Sequence, residues 1–387
     1  MVYIKQQIIR ELHLLRTDKW LLSMVSWVPV LLFFLLWWIF SAGIPRDLAV
    51  GVVDLNHSKL SRSLIRQYDA HPGLNVVRHF PDVLQGVAAM RDTSISSLIV
   101  IPYDMEKNVI TDKTPQITVF YNSQFLLIGK LTSSAVQQAH ATFNAQLGVI
   151  KVMSKGKTVQ QAFGTAIPVR GQITPLFNMN NNYAHFLSTA AIPAMWQIII
   201  VLITIMALSR ELRLEGLNKW LNNKVSTAFI GKILPYTVVM WLHGALFLWF
   251  MFKFLLWPMN GNWGILLVSQ LLMVLASQAV GLLLFLLVKD PARALSMAAA
   301  YTAPCFAFMG VTFPATDMNY VAQIWRSLLP VSHYIEIQIY QANHGASIAI
   351  SLSQISMLMP FLIVFPVAYL IAHRISRHQS ILTGEQA

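Results

Sequence analysis

The chain has 387 residues, of which 56% are hydrophobic and 11% are charged, with a formal net charge of +12. An average soluble domain carries roughly 25% charged residues. This composition, with a mean hydropathy of +0.56, excludes a disordered chain and disfavours a wholly soluble enzyme. The single cysteine, Cys305, excludes a disulfide framework and a multi-cysteine metal site. The composition therefore indicates a membrane protein.

Residues 1–19 predict a helix that lies along the cytoplasmic surface of the membrane. Ile4, Ile8, Leu12 and Leu15 share one helical face, and the polar residues lie elsewhere. Amphipathic helices of this kind bind in the plane of the interface. The alternative is a plain polar extension of the first membrane span.

Six apolar windows predict six transmembrane spans, because each is long enough to cross a bilayer as a helix. They cover residues 20–40, 183–209, 233–257, 263–288, 294–313 and 347–372. The first span, assigned to 20–42 with its flank, exceeds the roughly 7–15 apolar residues of a signal peptide. A leader cleaved at Ser41-Ala42-Gly43 is the alternative.

Lys and Arg in short loops indicate which side of the membrane is cytoplasmic. The opposite short segments hold only Arg326. One side holds thirteen such residues: Lys5, Arg10, Arg16, Lys19, Arg210, Arg213, Lys219, Lys224, Lys232, Lys289, Arg293, Arg374 and Arg377. Both termini, including the tail 374–387, are therefore predicted to be cytoplasmic. Because topology accounts for the basic excess, no nucleic acid partner is expected.

Residues 43–182 differ in texture from the spans and predict an inserted extracytoplasmic mixed α/β domain. Strands are predicted at 48–53, 74–80, 97–101 and 116–121, and helices at 58–68, 82–91 and 124–153. Strands that alternate with helices favour a layered structure. The predicted fold class is an α-helical integral membrane protein with six transmembrane helices and this inserted domain.

The five-span region 183–373 contains two polar segments. The cytoplasmic loop 209–226 places Glu211 and Glu215 on one helical face and also carries several large apolar side chains. We predict that it forms a short helix that docks on a cytoplasmic partner; the alternative is a solvated charged loop. The outer segment 314–346 predicts a re-entrant pair of half-helices.

Motifs that would indicate catalysis are absent from the sequence. It contains no Gly-x-x-x-x-Gly-Lys-Ser/Thr phosphate loop, no His-Glu-x-x-His zinc motif and no Gly-x-Ser-x-Gly nucleophile elbow. Ionisable side chains at membrane depth, which mark proton and ion pathways, are nearly absent from the predicted spans. We therefore predict no catalytic residue, metal or cofactor, and we disfavour an intramembrane enzyme.

Three motifs resemble type-2 ABC exporter permeases, in particular the bacterial subfamily with a large extracytoplasmic domain between the first two spans. The opening of that domain resembles Asp54-x-Asn56-x-Ser58. The cytoplasmic loop of the family resembles Glu211-x-x-x-Glu215-Gly216 with Leu221, followed by Gly231-Lys232-x-x-Pro235-Tyr236. The outer signature resembles Gly310-x-x-Phe313-Pro314 with Leu329-Pro330-x-x-His333-Tyr334.

The resemblance implies a permease subunit of the bacterial inner membrane that has no ATPase of its own. A separate ABC ATPase subunit would contact a coupling helix made of Glu211, Leu214, Glu215, Gly216, Leu217, Trp220 and Leu221. The outer re-entrant signature would comprise Gly310, Phe313, Pro314, Pro330, His333 and Tyr334. A second permease copy or a homologue would complete the path.

The substrate class and a further partner also follow only from the resemblance. Relatives with a large outer domain are often linked to a periplasmic adaptor and to export of drugs, lipids or other amphiphiles. The main alternative is a membrane receptor or interaction protein whose outer domain binds a ligand or surface partner. A receptor predicts a signalling domain in the cytoplasm, whereas an exporter predicts a structured docking loop such as 209–226.

Overall fold

The computed structural model of the protein describes residues 2–166, 176–178, 182–221 and 224–384. They form two compact units, a helical unit of Met1–Gly43 with Pro175–Ala387 and an α/β unit of Ile44–Thr174. The predicted inserted domain, 43–182, ends later than this division. Its last part falls on residues 167–175 and 179–181, which lie outside the described residues.

The chain begins with three helices: α1 (Val2–Thr17), α2 (Lys19–Val25) and α3 (Trp27–Phe40). The axes of α2 and α3 are bent by 44° with respect to each other, and Ser26 lies at the break. Pro29 accounts for the bend, because it has no N–H for the Val25 carbonyl and its ring crowds that oxygen. The first predicted span is therefore a bent pair of helices.

The α/β unit contains a four-stranded sheet of order β2-β1-β3-β4, in which β1 is parallel to β2 and β3, and β4 is antiparallel to β3. All predicted strands and helices are present within two residues at each end. Helices α6 and α8 are additional. The elements are β1 (Leu48–Asp54), α4 (Lys59–Asp69), β2 (Leu74–His79), α5 (Val83–Arg91), β3 (Ser97–Ile101), α6 (Met105–Ile110), β4 (Thr118–Tyr121), α7 (Leu126–Met153) and α8 (Val159–Ala166).

Both faces of this sheet are covered by helices. Val50 and Val52 of β1 pack in one core with Leu64 of α4, while Val53 packs in a second core with Ala89 of α5. Successive side chains of a strand point to opposite faces, so a strand buried on both faces reads as a continuous apolar run. That run is the signal by which β1 was predicted.

The Asp54 motif of the sequence is a structural turn between β1 and α4. One carboxylate oxygen of Asp54 accepts the backbone N–H groups of Asn56 and His57 at 3.0 and 3.1 Å, and the other accepts the Ser61 hydroxyl at 2.7 Å. Ser58 and Ser61 then cap the first turn of α4 reciprocally. The motif therefore has a structural role, because its side chains fix the turn between β1 and α4.

The remainder of the helical unit contains eleven α-helices within its described residues, and a short 3-10 helix at Ala315–Asp317. Two of them continue as short π-helices, at Phe250–Phe254 and Tyr340–His344. The helices are α9 (Tyr183–Leu214), α10 (Leu217–Leu221), α11 (Val225–Trp249), α12 (Trp263–Val288), α13 (Pro291–Thr302), α14 (Cys305–Phe308), α15 (Tyr320–Ser327), α16 (Pro330–Ile339), α17 (Ile348–Ser356), α18 (Met359–Leu362) and α19 (Val364–Gly384).

Four helical stretches among the described residues are long and apolar enough to cross a membrane, and the α2–α3 pair would be a fifth. The four are Tyr183–Leu214, Val225–Phe254, Trp263–Val288 and Ile348–Arg377. The window predicted over 294–313 is not one continuous helix, because α13 ends at Thr302 and α14 has only four residues. Pro304 interrupts the helix, since it has no N–H for the carbonyl one turn earlier.

Helix α9 lies at the centre of the helical unit. Of its most apolar window, 78% is buried against the rest of the chain, compared with 22% for the last apolar stretch, Ile348–Arg377. Its side chains contribute to both apolar clusters of the unit, one around Trp196 and Ile200 and the other around Ile205 and Leu208. A displacement of α9 would therefore be felt by most of the helices around it.

Candidate coupling site

The site predicted from the cytoplasmic loop is the turn between α9 and α10, residues 211–221, which we call the α9–α10 turn. Helix α9 ends at Leu214, and the backbone N–H groups of Glu215 and Gly216 both reach the Glu211 carbonyl, at 3.2 and 3.1 Å. Gly216 has φ +77°, a left-handed conformation in which a residue with a Cβ is strained. Gly216 therefore ends α9 and turns the chain into α10.

Three apolar residues of the predicted coupling helix are packed inside the chain. Leu217, Trp220 and Leu221 are only 5%, 6% and 0% exposed. The Trp220 ring stacks on Phe229 of α11 with 6.0 Å between the ring centroids. The structure thus places these side chains in the core of the helical unit, where they hold α10 on its neighbours, and not at a partner-facing surface.

The surface that the α9–α10 turn leaves for another protein is a small tip. Leu214 is 53% exposed, the Glu215 side chain is 41% exposed, and Arg213 and Lys219 are also exposed. One leucine surrounded by charges of both signs is suited to a mixed contact, with an apolar centre and a charged rim.

Glu211 is not part of that tip, because its carboxylate lies in a buried cluster of charges. One of its oxygens is 2.7 Å from the Lys232 ammonium of α11 and 3.1 Å from the Arg10 guanidinium of α1. The other oxygen is 2.9 Å from Arg10. Glu211 is completely buried, and Lys232 is 3% exposed. Glu211, predicted for the helix that contacts a partner ATPase, is therefore paired with two cations of its own chain.

A second carboxylate completes the cluster. Glu11 of α1, only 2% exposed, accepts a hydrogen bond from Lys232 at 2.7 Å through one oxygen. Its other oxygen accepts the Tyr236 hydroxyl of α11. We call Arg10, Glu11, Glu211 and Lys232 the charge cluster; it holds two anions and two cations and is neutral as a whole.

The charge cluster can be buried because it is neutral as a whole and because its ions are hydrogen-bonded to one another. An isolated ion loses several kcal/mol of hydration on burial, so each ion here needs its opposite. Burial lowers the pKa of the Arg10 guanidinium, but the hydrogen bond to Glu211 and the negative charges of Glu211, Glu215 and Glu11 together raise it by more, so the net shift is upward. Glu215, 3.8 Å from Arg10 and half exposed, adds little to this cluster.

Arg210, next to Glu211, binds the end of α1. Its guanidinium donates to the Leu14 carbonyl and, at 2.7 Å, to the Thr17 hydroxyl. It also lies 3.5 Å from the Asp18 carboxylate, which caps α2. Two consecutive residues of α9 therefore attach α1 to the helix that carries the turn.

At Gly231, α11 packs closely against α1. A Cβ placed on Gly231 would lie 2.4 Å from the Cβ of Gln7, a separation that real atoms do not adopt. Gly231, Lys232 and Tyr236 thus form the face of α11 that receives α1. This face explains in physical terms why a glycine, a lysine and a tyrosine stand together in that motif.

Sequence reasoning missed the charge cluster, although one signal for it was present. Glu11 is the only acidic residue of α1, and it is three or four residues from Ile8 and Leu15, so it shares their face. In the structure Leu12, predicted for that face, is 45% exposed. The buried face of α1 is therefore centred on Gln7 and Glu11.

The signature predicted for the outer side lies around α14, α15 and α16. Gly310 has φ +83°, and a Cβ there would be 3.1 Å from the Arg326 guanidinium. His333 and Tyr334 are buried, while Phe313 is 51% exposed and Pro314 is exposed too. The structure thus groups Gly310 with α15 but leaves the Phe313-Pro314 pair at the surface.

The helical unit and its apolar stretches define a membrane-embedded protein. A family model described as ABC-2 family transporter protein matches residues 19–371. The chain therefore belongs to the ABC-2 transporter family, whose members are the permease components of ABC transporters and imply an ABC ATPase partner. No individual curated protein matches the chain. In the part of the chain that the structure describes, no group of three His, Cys, Asp or Glu side chains could hold a metal ion.

The buried position of Glu211 leads to a test against Glu215, four residues further on. Glu211→Gln leaves Arg10 and Lys232 with one carboxylate between them, so we expect it to lower the free energy of unfolding by about 3–5 kcal/mol. Glu215→Gln makes the same chemical change at the half-exposed tip and should cost roughly 0–1 kcal/mol. Denaturation of both variants in mixed micelles measures the difference. Equal effects would contradict the charge cluster.

Proposed function

We propose that the chain is the permease subunit of an ABC exporter that moves a drug, a lipid or another amphiphile out of the cytoplasm or the inner leaflet. This proposal rests on the α9–α10 turn. Its tip around Leu214 is exposed, while the charge cluster holds Glu211, three residues earlier, in place. Helix α9 continues from this turn into the centre of the helical unit without a linker.

A partner ATPase can drive the permease only through contacts that differ between its nucleotide states. Such contacts do mechanical work only on a rigid element. Here the tip around Leu214 is held by Gly216, by the packing of Trp220 and by the ion pairs of Glu211. Force applied at the tip would therefore be delivered to α9 and not absorbed by the turn.

The energy source would be a separate subunit, since the sequence contains no phosphate loop. A second copy of the chain, or a homologue, would complete the path. Apolar surface supports this assignment: only 39% of the window in Val225–Phe254 and 22% of that in Ile348–Arg377 is buried within one chain. The rest is available to lipid, to a second permease and to an apolar substrate.

The proposed topology has six crossings in a bacterial inner membrane, with both termini in the cytoplasm. The bias of Lys and Arg in short segments supports it, and α13 with α14 would supply the fifth crossing. Helix α1 would lie on the cytoplasmic surface, where its exposed Tyr3, Ile9 and Leu12 can enter the interface. The α/β unit would then be periplasmic and within reach of an adaptor protein.

The coupling proposal is tested at the leucine of the tip. Leu214→Asp removes an apolar contact worth about 1.5–3 kcal/mol, so we expect the affinity for the ATPase subunit to fall roughly 10- to 150-fold. Leu84→Asp, at an 83% exposed leucine of the α/β unit, is the matched control and should bind as the unaltered chain does. Binding is measured with purified subunits in nanodiscs, together with ATP hydrolysis.

In the same experiment the isolated chain should hydrolyse no ATP, and hydrolysis should appear only with the partner subunit. Unchanged binding and transport in Leu214→Asp would remove the coupling assignment.

The topology is tested by cysteine labelling in whole cells. The only native cysteine, Cys305, is buried, so the unaltered chain should give little background. A cysteine at Lys113 should react with a membrane-impermeant maleimide added from outside, and one at Lys219 should react only after the membrane is opened. The reverse pattern would invert the orientation.

A further inference from the structure

Two buried glutamines join α9 to α16. The side-chain oxygen of Gln197, in α9, accepts the backbone N–H of Val331 at 2.8 Å. The side-chain amide of Gln338, in α16, donates to the backbone carbonyl of Thr189 at 2.8 Å. Gln197 is 0% exposed and Gln338 is 1% exposed, so water does not compete for these bonds.

Each glutamine bonds a backbone group of the other helix, and that group has no partner within the helix to which it belongs. Pro193 has no N–H, so the carbonyl four residues earlier, that of Thr189, has no partner within α9. Gln338 supplies the missing donor from another helix. Conversely, α16 begins at Pro330 with no side-chain cap from Leu329, and Gln197 accepts an N–H of its first turn. The two bonds are therefore reciprocal.

The same helix α9 carries the α9–α10 turn at its other end. Gln197 is 14 residues and Thr189 is 22 residues before Glu211, which corresponds to about 21 and 33 Å along a helix that rises 1.5 Å per residue. Helix α16 is in turn joined to α15, because Glu336 accepts a hydrogen bond from Arg326 at 2.7 Å. A continuous series of helices and side-chain hydrogen bonds thus runs from the turn to α15.

We propose that Gln197 and Gln338 are positioning residues that couple α9 to α16, so that displacement of α9 at the α9–α10 turn moves α16 and, with it, α15. This inference rests on the proposed function, because the partner ATPase supplies the displacement. It adds to that function the path by which the displacement of α9 reaches the segment between α14 and α17.

A merely structural role for Gln338 makes a different prediction, and Pro193 separates the two. Pro193→Ala restores a backbone N–H that can bond the Thr189 carbonyl, so Gln338 is then no longer needed to satisfy it. If Gln338 only satisfies that carbonyl, Gln338→Leu in the Pro193→Ala background should regain both thermal stability and transport. If Gln338 couples α9 to α16, thermal stability should return but transport should not.

The experiment uses the complete transporter with its ATPase in nanodiscs. One spin label is placed at Tyr320 of α15 and one at Ile39 of α3, both exposed, and the distance between them is compared in the ATP- and ADP-bound states. We expect the nucleotide-dependent change of distance in Pro193→Ala to be lost in Pro193→Ala with Gln338→Leu. Transport per ATP hydrolysed should fall roughly 5- to 150-fold, the range of typical coupling free energies, with a restored thermal midpoint.

Gln278→Leu is the matched control. It removes a buried glutamine that bonds Thr237 at 2.7 Å and joins α12 to α11, and it should keep the distance change. Retention of the distance change and of transport in Pro193→Ala with Gln338→Leu would overturn the inference while leaving the proposed function intact. Absence of any nucleotide-dependent change in the unaltered transporter would overturn both.

Discussion

Lys232 makes the interaction on which the arrangement of the helical unit depends. Its ammonium lies 2.7 Å from Glu11 of α1 and 2.7 Å from Glu211 of α9, while Lys232 itself belongs to α11. Because a buried cation needs anions close by, this one side chain requires three helices to meet at a single point. Gly231 permits the approach, and Arg10 supplies the charge that keeps the cluster neutral.

The position of the α9–α10 turn follows from that meeting point. Arg10 and Lys232 hold Glu211 from two sides, so the last turn of α9 does not fray. Gly216 then ends the helix at a fixed place. The tip at Leu214 is thus joined directly to α9, whose most apolar window is 78% buried. At its other end α9 has a gap in its hydrogen bonding at Pro193, which a side chain of α16 fills. Both ends of α9 are thus bound to other helices by specific polar contacts within an apolar unit.

Local sequence patterns predicted some of the helices, whereas long-range packing determined the breaks and contacts that they did not predict. The span Trp263–Val288 was predicted correctly, since its apolar run is bounded by the Asn262 cap and by Lys289. The break within 294–313 was not predicted, because composition records apolarity but not the interruption that Pro304 imposes. Glu211 was predicted as a site residue, but the side chains that surround it were not predicted. Its partners Arg10 and Lys232 lie far from it in sequence, and helical periodicity does not report which helices pack together.

A double-mutant cycle between Glu11 and Lys232 measures whether buried ion pairs hold α1 against α9 and α11. The unfolding free energies of Glu11→Gln, Lys232→Met and the double variant are measured in mixed micelles against the unaltered chain. We expect the two single changes to be strongly non-additive, with a coupling free energy of about 1.5–3 kcal/mol. Additivity within roughly 0.5 kcal/mol would contradict this expectation.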